Sequence, residues 1–211
     1  MLLNFLHVGL FGTLASPVAA WSRPAVVVGA DNTTYKMIDL GWNVRINDTH
    51  TLPVTGTVQD VLEALREVDP NYMTARIQEP MLAHDGLSDS PPARISRRSH
   101  KPTTQVCRVP GHKTATLVYI WQGIFHLDST DGQPSNAPGP GECGRVSCSE
   151  GAAIAWCNDN KETKVLESFS DVADGAARLA RDCQLFPGAG RAGGQQFFED
   201  GWNVMVYDAW C

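Results

Sequence analysis

Cys107, Cys143, Cys148, Cys157, Cys183 and Cys211 all fall in the second half of a 211-residue chain, and the residues before Cys107 contain no cysteine. An even set of thiols crowded into one stretch is either a group of metal ligands or a disulfide framework, and the compartment decides which. Residues 1 to 20 have an apolar centre and end on small residues, with Val18 and Ala20 where a signal peptidase cuts. This reads as a secretion signal removed before Trp21, so the cysteines are expected to form three bridges in an oxidising environment, with no metal and no cofactor. No later run approaches the ~18 apolar residues that a membrane span needs. The mature protein is expected to be secreted and soluble.

A net charge of −6 argues against nucleic acid and anionic lipid as partners, because both require a basic face. Two sequons, at Asn32 and Asn47, suit passage through a eukaryotic secretory route and predict exposed chain there. The stretch from Pro80 to Lys101 is rich in Pro, Ser and Asp and has too little apolar content to fold alone. It reads as a linker, and inside it Arg97-Arg98 matches the paired basic site cut by kexin-type proteases. Linker, basic pair and the onset of cysteines coincide. The expected organisation is a signal peptide at 1–20, a pro-region at 21–98 and a cysteine-rich domain at 99–211.

Short strands are predicted at Ala25–Val28 and Trp42–Ile46, then a helix from Val58 to Val68 opened by a Thr57/Asp60 capping box. In the cysteine-rich part, Thr114–Trp121 alternates like a strand, Asp131–Glu142 must be a long loop, and Gly144–Cys148 with Ala152–Cys157 form a hairpin about Glu150-Gly151. Ser168-Phe-Ser-Asp171 opens a helix whose apolar stripe runs from Phe169 to Cys183, a glycine-rich loop covers Phe186–Gln196, and Trp202–Tyr207 is the last strand. The fold class is therefore α+β: a small disulfide-bonded antiparallel sheet with a packed helix, an α/β sandwich. Pairing of the cysteines is not dictated by spacing. The hairpin places Cys143 opposite Cys157, which ranks that bridge first, with Cys148–Cys211 and Cys107–Cys183 completing the set.

No catalytic motif stands out. His126 and Asp128, at strand spacing, would offer a base and its orienter but lack a nucleophile, and His112 has no zinc-like companion. Gly188–Gly194 lacks the Lys-Ser/Thr ending of a phosphate cradle and reads as loop. A stiff loop beside a disulfide is a better candidate for binding a partner, since it loses less entropy on association. Gln133, Pro134, Ser135 and Asn136 in the first loop, Arg191 in the second and Trp210 beside the last cysteine are the candidate partner-binding residues; Trp121, Trp156 and Trp202 read as core. Gly41-Trp-Asn-Val44 recurs at Gly201-Trp-Asn-Val204, which suggests that the pro-region offers a strand to the sheet of the domain.

The run of Cys148, AIAWCND at 153–159, SDVADGAARLARDC at 170–183 and WNVMVYDAWC at 202–211 resembles secreted cysteine-rich proteins of filamentous fungi, most of all the killer-toxin-like α/β-sandwich group. The resemblance extends to plant-pathogen effectors that pair a signal peptide and a processed pro-region with a disulfide-bonded domain. It implies a monomeric, non-enzymatic virulence factor that binds a host extracellular protein in the apoplast, a papain-like defence protease being the most concrete target. The alternative it implies is an antimicrobial toxin acting on competing microbes.

Overall fold

The structure is a computed structural model, and it describes residues 26–46, 49–71 and 100–211. The expected signal peptide with Ala20, the second sequon at Asn47, and Arg97 and Arg98 lie outside the described residues. In chain order the strands are β1 (Val26–Val28), β2 (Thr34–Ile38), β3 (Gly41–Arg45), β4 (Thr51–Thr55), β5 (Pro102–Cys107), β6 (Ala115–Thr116), β7 (Ser135–Asn136), β8 (Glu142–Ser149), β9 (Ala152–Asn158), β10 (Lys164–Val165), β11 (Arg191–Ala192), β12 (Gly194–Phe198) and β13 (Trp202–Asp208). The helices are α1 (Val58–Val68), α2 (Leu117–Asp128) and α3 (Phe169–Asp182).

The hairpin of β8 and β9 is the centre of the sheet. Glu150 and Gly151 both take positive φ, 49° and 76°, which suits the tight turn between twisted strands. β13 pairs with β9, β12 with β13, and β5 with β12, all antiparallel. On the other side β2 lies parallel to β8 and carries β1, giving a seven-stranded sheet in the order β1-β2-β8-β9-β13-β12-β5. The expected small antiparallel sheet is thus larger and mixed, because residues before the linker supply two of its strands.

Helices α1 and α3 form where their caps and periodicity coincide. Thr57 N–H donates to Asp60 Oδ2 at 2.6 Å, and Val58, Val61, Leu62 and Leu65 are buried along one face. Ser168 Oγ accepts from Ser170 N at 3.0 Å while Ser168 N–H donates to Asp171 Oδ2 at 3.1 Å, and the stripe from Phe169 to Ala180 faces the sheet. The predicted strand at Thr114–Trp121 is corrected: only Ala115–Thr116 is extended, and Leu117 begins α2. Its buried residues Ile120, Gly123, Ile124 and Leu127 follow helical spacing, and Gly123 lies so close to β8 that an added Cβ would sit 2.5 Å from Ser147 Oγ. Burying a helical stripe against the sheet overrides the strand preference of Val, Tyr and Ile.

The glycine-rich loop is also corrected. Phe186–Ala189 is turn, but Arg191–Ala192 and Gly194–Phe198 are strands, and Gln195 and Gln196 are buried inside the sheet. Three disulfides hold the second half: Cys107–Cys183, Cys143–Cys157 and Cys148–Cys211, with Cys143 and Cys157 register partners across the hairpin. One core lies between the sheet and the helices and includes Trp42, Leu65, Ile124, Trp156, Phe169 and Trp202. A smaller one on the opposite face gathers Val27, Tyr35, the Cys143–Cys157 pair, Met205 and Tyr207. Leu40, Trp42, Val44 and all of the buried face of α1 belong to the first core, so the expected pro-region shares its interior with the cysteine-rich part.

Candidate functional site

The loop from Asp131 to Glu142 owes its shape to side chains and backbone that clamp it at short intervals. Asp131 O accepts from Arg45 N at 3.2 Å, Pro134 O from Leu166 N at 3.0 Å, and Gly141 O from Lys36 N at 2.6 Å. Asn136 Nδ2 donates to Trp156 O at 2.9 Å, Asn158 Nδ2 to Ala137 O at 2.8 Å, and Gly139 N to Asn160 O at 2.7 Å. At position 139 an added Cβ would run into the Asn158 carbonyl, so glycine is required for the close approach. Pro134, Pro138 and Pro140 restrict φ between these anchors. The Cys143–Cys157 bridge follows immediately.

This fixed loop and the β3–β4 hairpin form the two walls of a hollow of about 370 Å³ lined by Asn43, Arg45, Thr51, Gly132, Gln133, Ser135 and Val165. Arg45 and Gln133 are exposed, Ser135 is half-buried, and Val165 presents an exposed apolar face. One cation, several amide and hydroxyl groups and one apolar contact suit an extended peptide carrying a carboxylate. Pro134 and Asn136 do not join this surface: both are buried, Asn136 at 1% exposure, with its amide spent on Trp156.

The other two candidates sit elsewhere. Arg191 is a half-exposed brace whose guanidinium donates to Thr114 O, to Thr116 Oγ1 at 3.3 Å and to Asp208 Oδ2 at 3.0 Å. Trp210 is 74% exposed and lines a second hollow of about 540 Å³ with Glu150, Gly151, Asp208, Ala209 and Cys211. Its carbonyl accepts from Arg145 Nη1 at 3.1 Å. The two hollows share no lining residue.

His126 and Asp128 both lie on α2, where positions two apart point to different sides of a helix, so the base-and-orienter geometry is absent. Burial, with a smaller push from the charge of Arg66, lowers the pKa of His126, and its Nδ1 is buried without a hydrogen bond. His112 lies against the N-terminal segment, with Nε2 2.7 Å from Val28 O and its ring edge-on to Tyr207. Asn32 is exposed at the turn between β1 and β2, together with Thr34.

Two polar clusters went unseen in the sequence. In the first, Tyr35 donates to Asp159 Oδ1 at 3.0 Å, Asn203 Nδ2 donates to Asp159 Oδ2 at 2.8 Å and to Tyr35 at 3.0 Å, and Gln195 Nε2 donates to Asn203 Oδ1 at 2.9 Å. Burial pushes the Asp159 carboxyl above its ordinary range against the pull of these hydrogen bonds, and burial and the Asp159 charge together push Tyr35 up. In the second, His100 Nδ1 is 2.8 Å from Asp200 Oδ2 and Nε2 is 3.7 Å from Asp171, while Lys164 Nζ and Trp202 Nε1 also bond to Asp200. The only sequence signals for either cluster are single Asn, Asp and His residues next to strand ends.

Among the described residues no group of three or more His, Cys, Asp or Glu is arranged to hold a metal ion, and no helix is long and apolar enough to cross a membrane. No protein-family profile matches the chain, and neither the curated proteins nor the solved structures include a match to it.

Proposed function

We propose that this protein is a secreted fungal effector that binds an extracellular host protein through the hollow between β3–β4 and the Asp131–Glu142 loop, and that the partner is a defence protease. The observation that carries this reading is the loop itself: six hydrogen bonds and an adjoining disulfide hold it, while Gln133 at its start stays exposed beside Arg45. A segment already fixed in shape enters a cleft at little entropic cost and resists being cut there. The three disulfides support a secreted protein, since such bridges persist in oxidising compartments.

The test is capture from plant apoplastic fluid on the oxidised full chain, with activity-based labelling of the captured proteases. Loss of labelling, and loss of capture by the double variant Arg45→Ala/Gln133→Ala at unchanged urea midpoint, is the expected result. Proteases that label normally, or capture indifferent to both substitutions, would sink it. Growth inhibition of other fungi by the same protein would then favour the antimicrobial alternative.

A further inference from the structure

All three disulfides lie within residues 107–211, so no covalent link other than the main chain ties residues 26–71 to the rest. The packing nevertheless treats the two parts as one body. β2 runs in register with the central strand β8, Lys36 opposite Glu142 and Ile38 opposite Gly144. Trp42 stacks on Phe169 of α3 at 4.0 Å between ring centres and 17° between planes. Gln59 of α1 completes the irregular stretch of β8, donating from Nε2 to Ser147 Oγ at 3.0 Å and accepting from Cys148 N at 3.1 Å. Ala30 N donates to Gln195 Oε1 at 2.7 Å, and Tyr35 enters the Asp159–Asn203 network. Taking the segment away would uncover the ring of Phe169 and the edge of β8, and leave the hydrogen-bonding groups of Asn203, Gln195 and Cys148 without these partners.

We infer that a cut anywhere between residues 72 and 99 does not release a pro-piece: the protein persists as a non-covalent two-chain assembly, with residues 26–71 as a permanent subunit docked on β8 and α3. The contacts above lie wholly within residues 26–71 and 100–211, so hydrolysis between 72 and 99 breaks none of them. Tethering raises the effective concentration of a segment to the millimolar range, and its loss leaves an interface of domain-core character to hold the pieces. The assembly also keeps both walls of the hollow, since Asn43, Arg45 and Thr51 come from one chain and Gln133, Ser135 and Val165 from the other. This inference does not depend on what the hollow binds.

The experiment cuts the oxidised full chain with a kexin-type protease. In parallel, a variant carrying an inserted recognition sequence near residue 90 is cut with its cognate protease, so that resistance of Arg97-Arg98 does not stall the test. Size-exclusion chromatography at micromolar concentration without reductant should return both fragments in one peak at the uncut elution volume, separating only in urea. Trp42→Ala should leave the uncut chain folded by far-UV circular dichroism and raise the dissociation constant of the cut pieces by about a hundredfold or more. Elution of the N-terminal fragment on its own from the unsubstituted cut protein would overturn the inference, whether the cysteine-bearing fragment then stays folded or aggregates. Because no host protein is present, this result is independent of protease capture.

Discussion

Tyr35→Phe removes one oxygen from the place where the two halves of the chain share a buried polar network. The hydroxyl donates to Asp159 and accepts from Asn203, and Tyr35 is fully buried. Its loss leaves Asp159 Oδ1, which is part-buried, and one N–H of the buried Asn203 without these partners. A hydrogen bond to a charged acceptor is worth about 1.5–3 kcal/mol, so a loss of about 2 kcal/mol is expected. With a urea slope of about 2 kcal/mol/M, the midpoint should fall by about 1 M at unchanged slope. The effect also depends on pH. Burial holds the Asp159 pKa above its ordinary value, so the native state binds more protons than the unfolded chain in the window just above pH ~4, and this group makes stability fall as pH rises through that window. Removing the Tyr35 hydrogen bond raises the Asp159 pKa further. The cost of the substitution should therefore be largest at pH 7 and shrink towards pH 4. Urea titrations followed by tryptophan fluorescence at both pH values measure it. An unchanged midpoint, or a separate early transition for residues 26–71, would refute the reasoning that this segment belongs to the cooperative core.

Asp200 shows the opposite linkage: burial pushes its carboxyl up, but the Lys164 hydrogen bond and the charges of His100 and Lys164 outweigh it and hold the pKa below ordinary. Its contribution is present above pH ~4 and lost as pH falls through the native value, so urea midpoints of Asp200→Asn and the unsubstituted protein should differ at pH 7 and draw together as pH falls below ~4. Under mild thiol, Cys148–Cys211 should open first because neither of its cysteines is buried, Cys107–Cys183 next because only Cys107 is exposed, and Cys143–Cys157, with both residues buried, last; timed alkylation and mass spectrometry read the order. Asn203→Ala should cost about 1–3 kcal/mol by leaving buried partners unpaired, while Asn43→Ala on the surface should stay within about 0.5 kcal/mol, both measured by urea titration.

The elements legible in the sequence are those in which a local chemical signal and a periodic one agree. Thr57 with Asp60 and Ser168 with Asp171 mark starts, and the apolar stripes that follow run at helical spacing. The β8–β9 hairpin is legible from Glu150-Gly151, and its register places Cys143 against Cys157. Helix α2 is not legible over Leu117–Trp121, where alternation fits a strand; its helical face emerges only over twelve residues, with Ile120, Gly123, Ile124 and Leu127 buried. β12 hides for a related reason. Gly194, Gln195 and Gln196 look like loop, yet Gln195 Nε2 donates to Asn203 and Gln196 Nε2 donates to Thr104 O at 3.2 Å, so both bury their amides satisfied. Of the candidate contact residues, sequence alone could place a stiff loop but not its inside and outside: Gln133 faces out, Asn136 in. Arg45, which supplies the charge of the opposite wall, carries no local signal, because its position depends on a bridge between Val44 and Gly132 that joins distant parts of the chain.

The repeated Gly-Trp-Asn-Val shows how the fold divides its labour. β3 does not join the large sheet as the repeat suggests; it pairs with β4, and the sheet takes β1 and β2 from the same segment instead. Both copies are nevertheless strands that turn Trp and Val inward, and both tryptophans stack on a phenylalanine, Trp42 on Phe169 and Trp202 on Phe198 at 3.9 Å. They differ at the asparagine. β13 is an interior strand of the sheet, so Asn203 is buried and must bond, which it does with Asp159, Tyr35 and Gln195. β3 has one face open, so Asn43 lines the hollow beside Arg45. The same four residues thus hold the core together in one place and, in the other, carry a core tryptophan on one side and line the hollow on the other. A strand with that double duty cannot be shed without unmaking both.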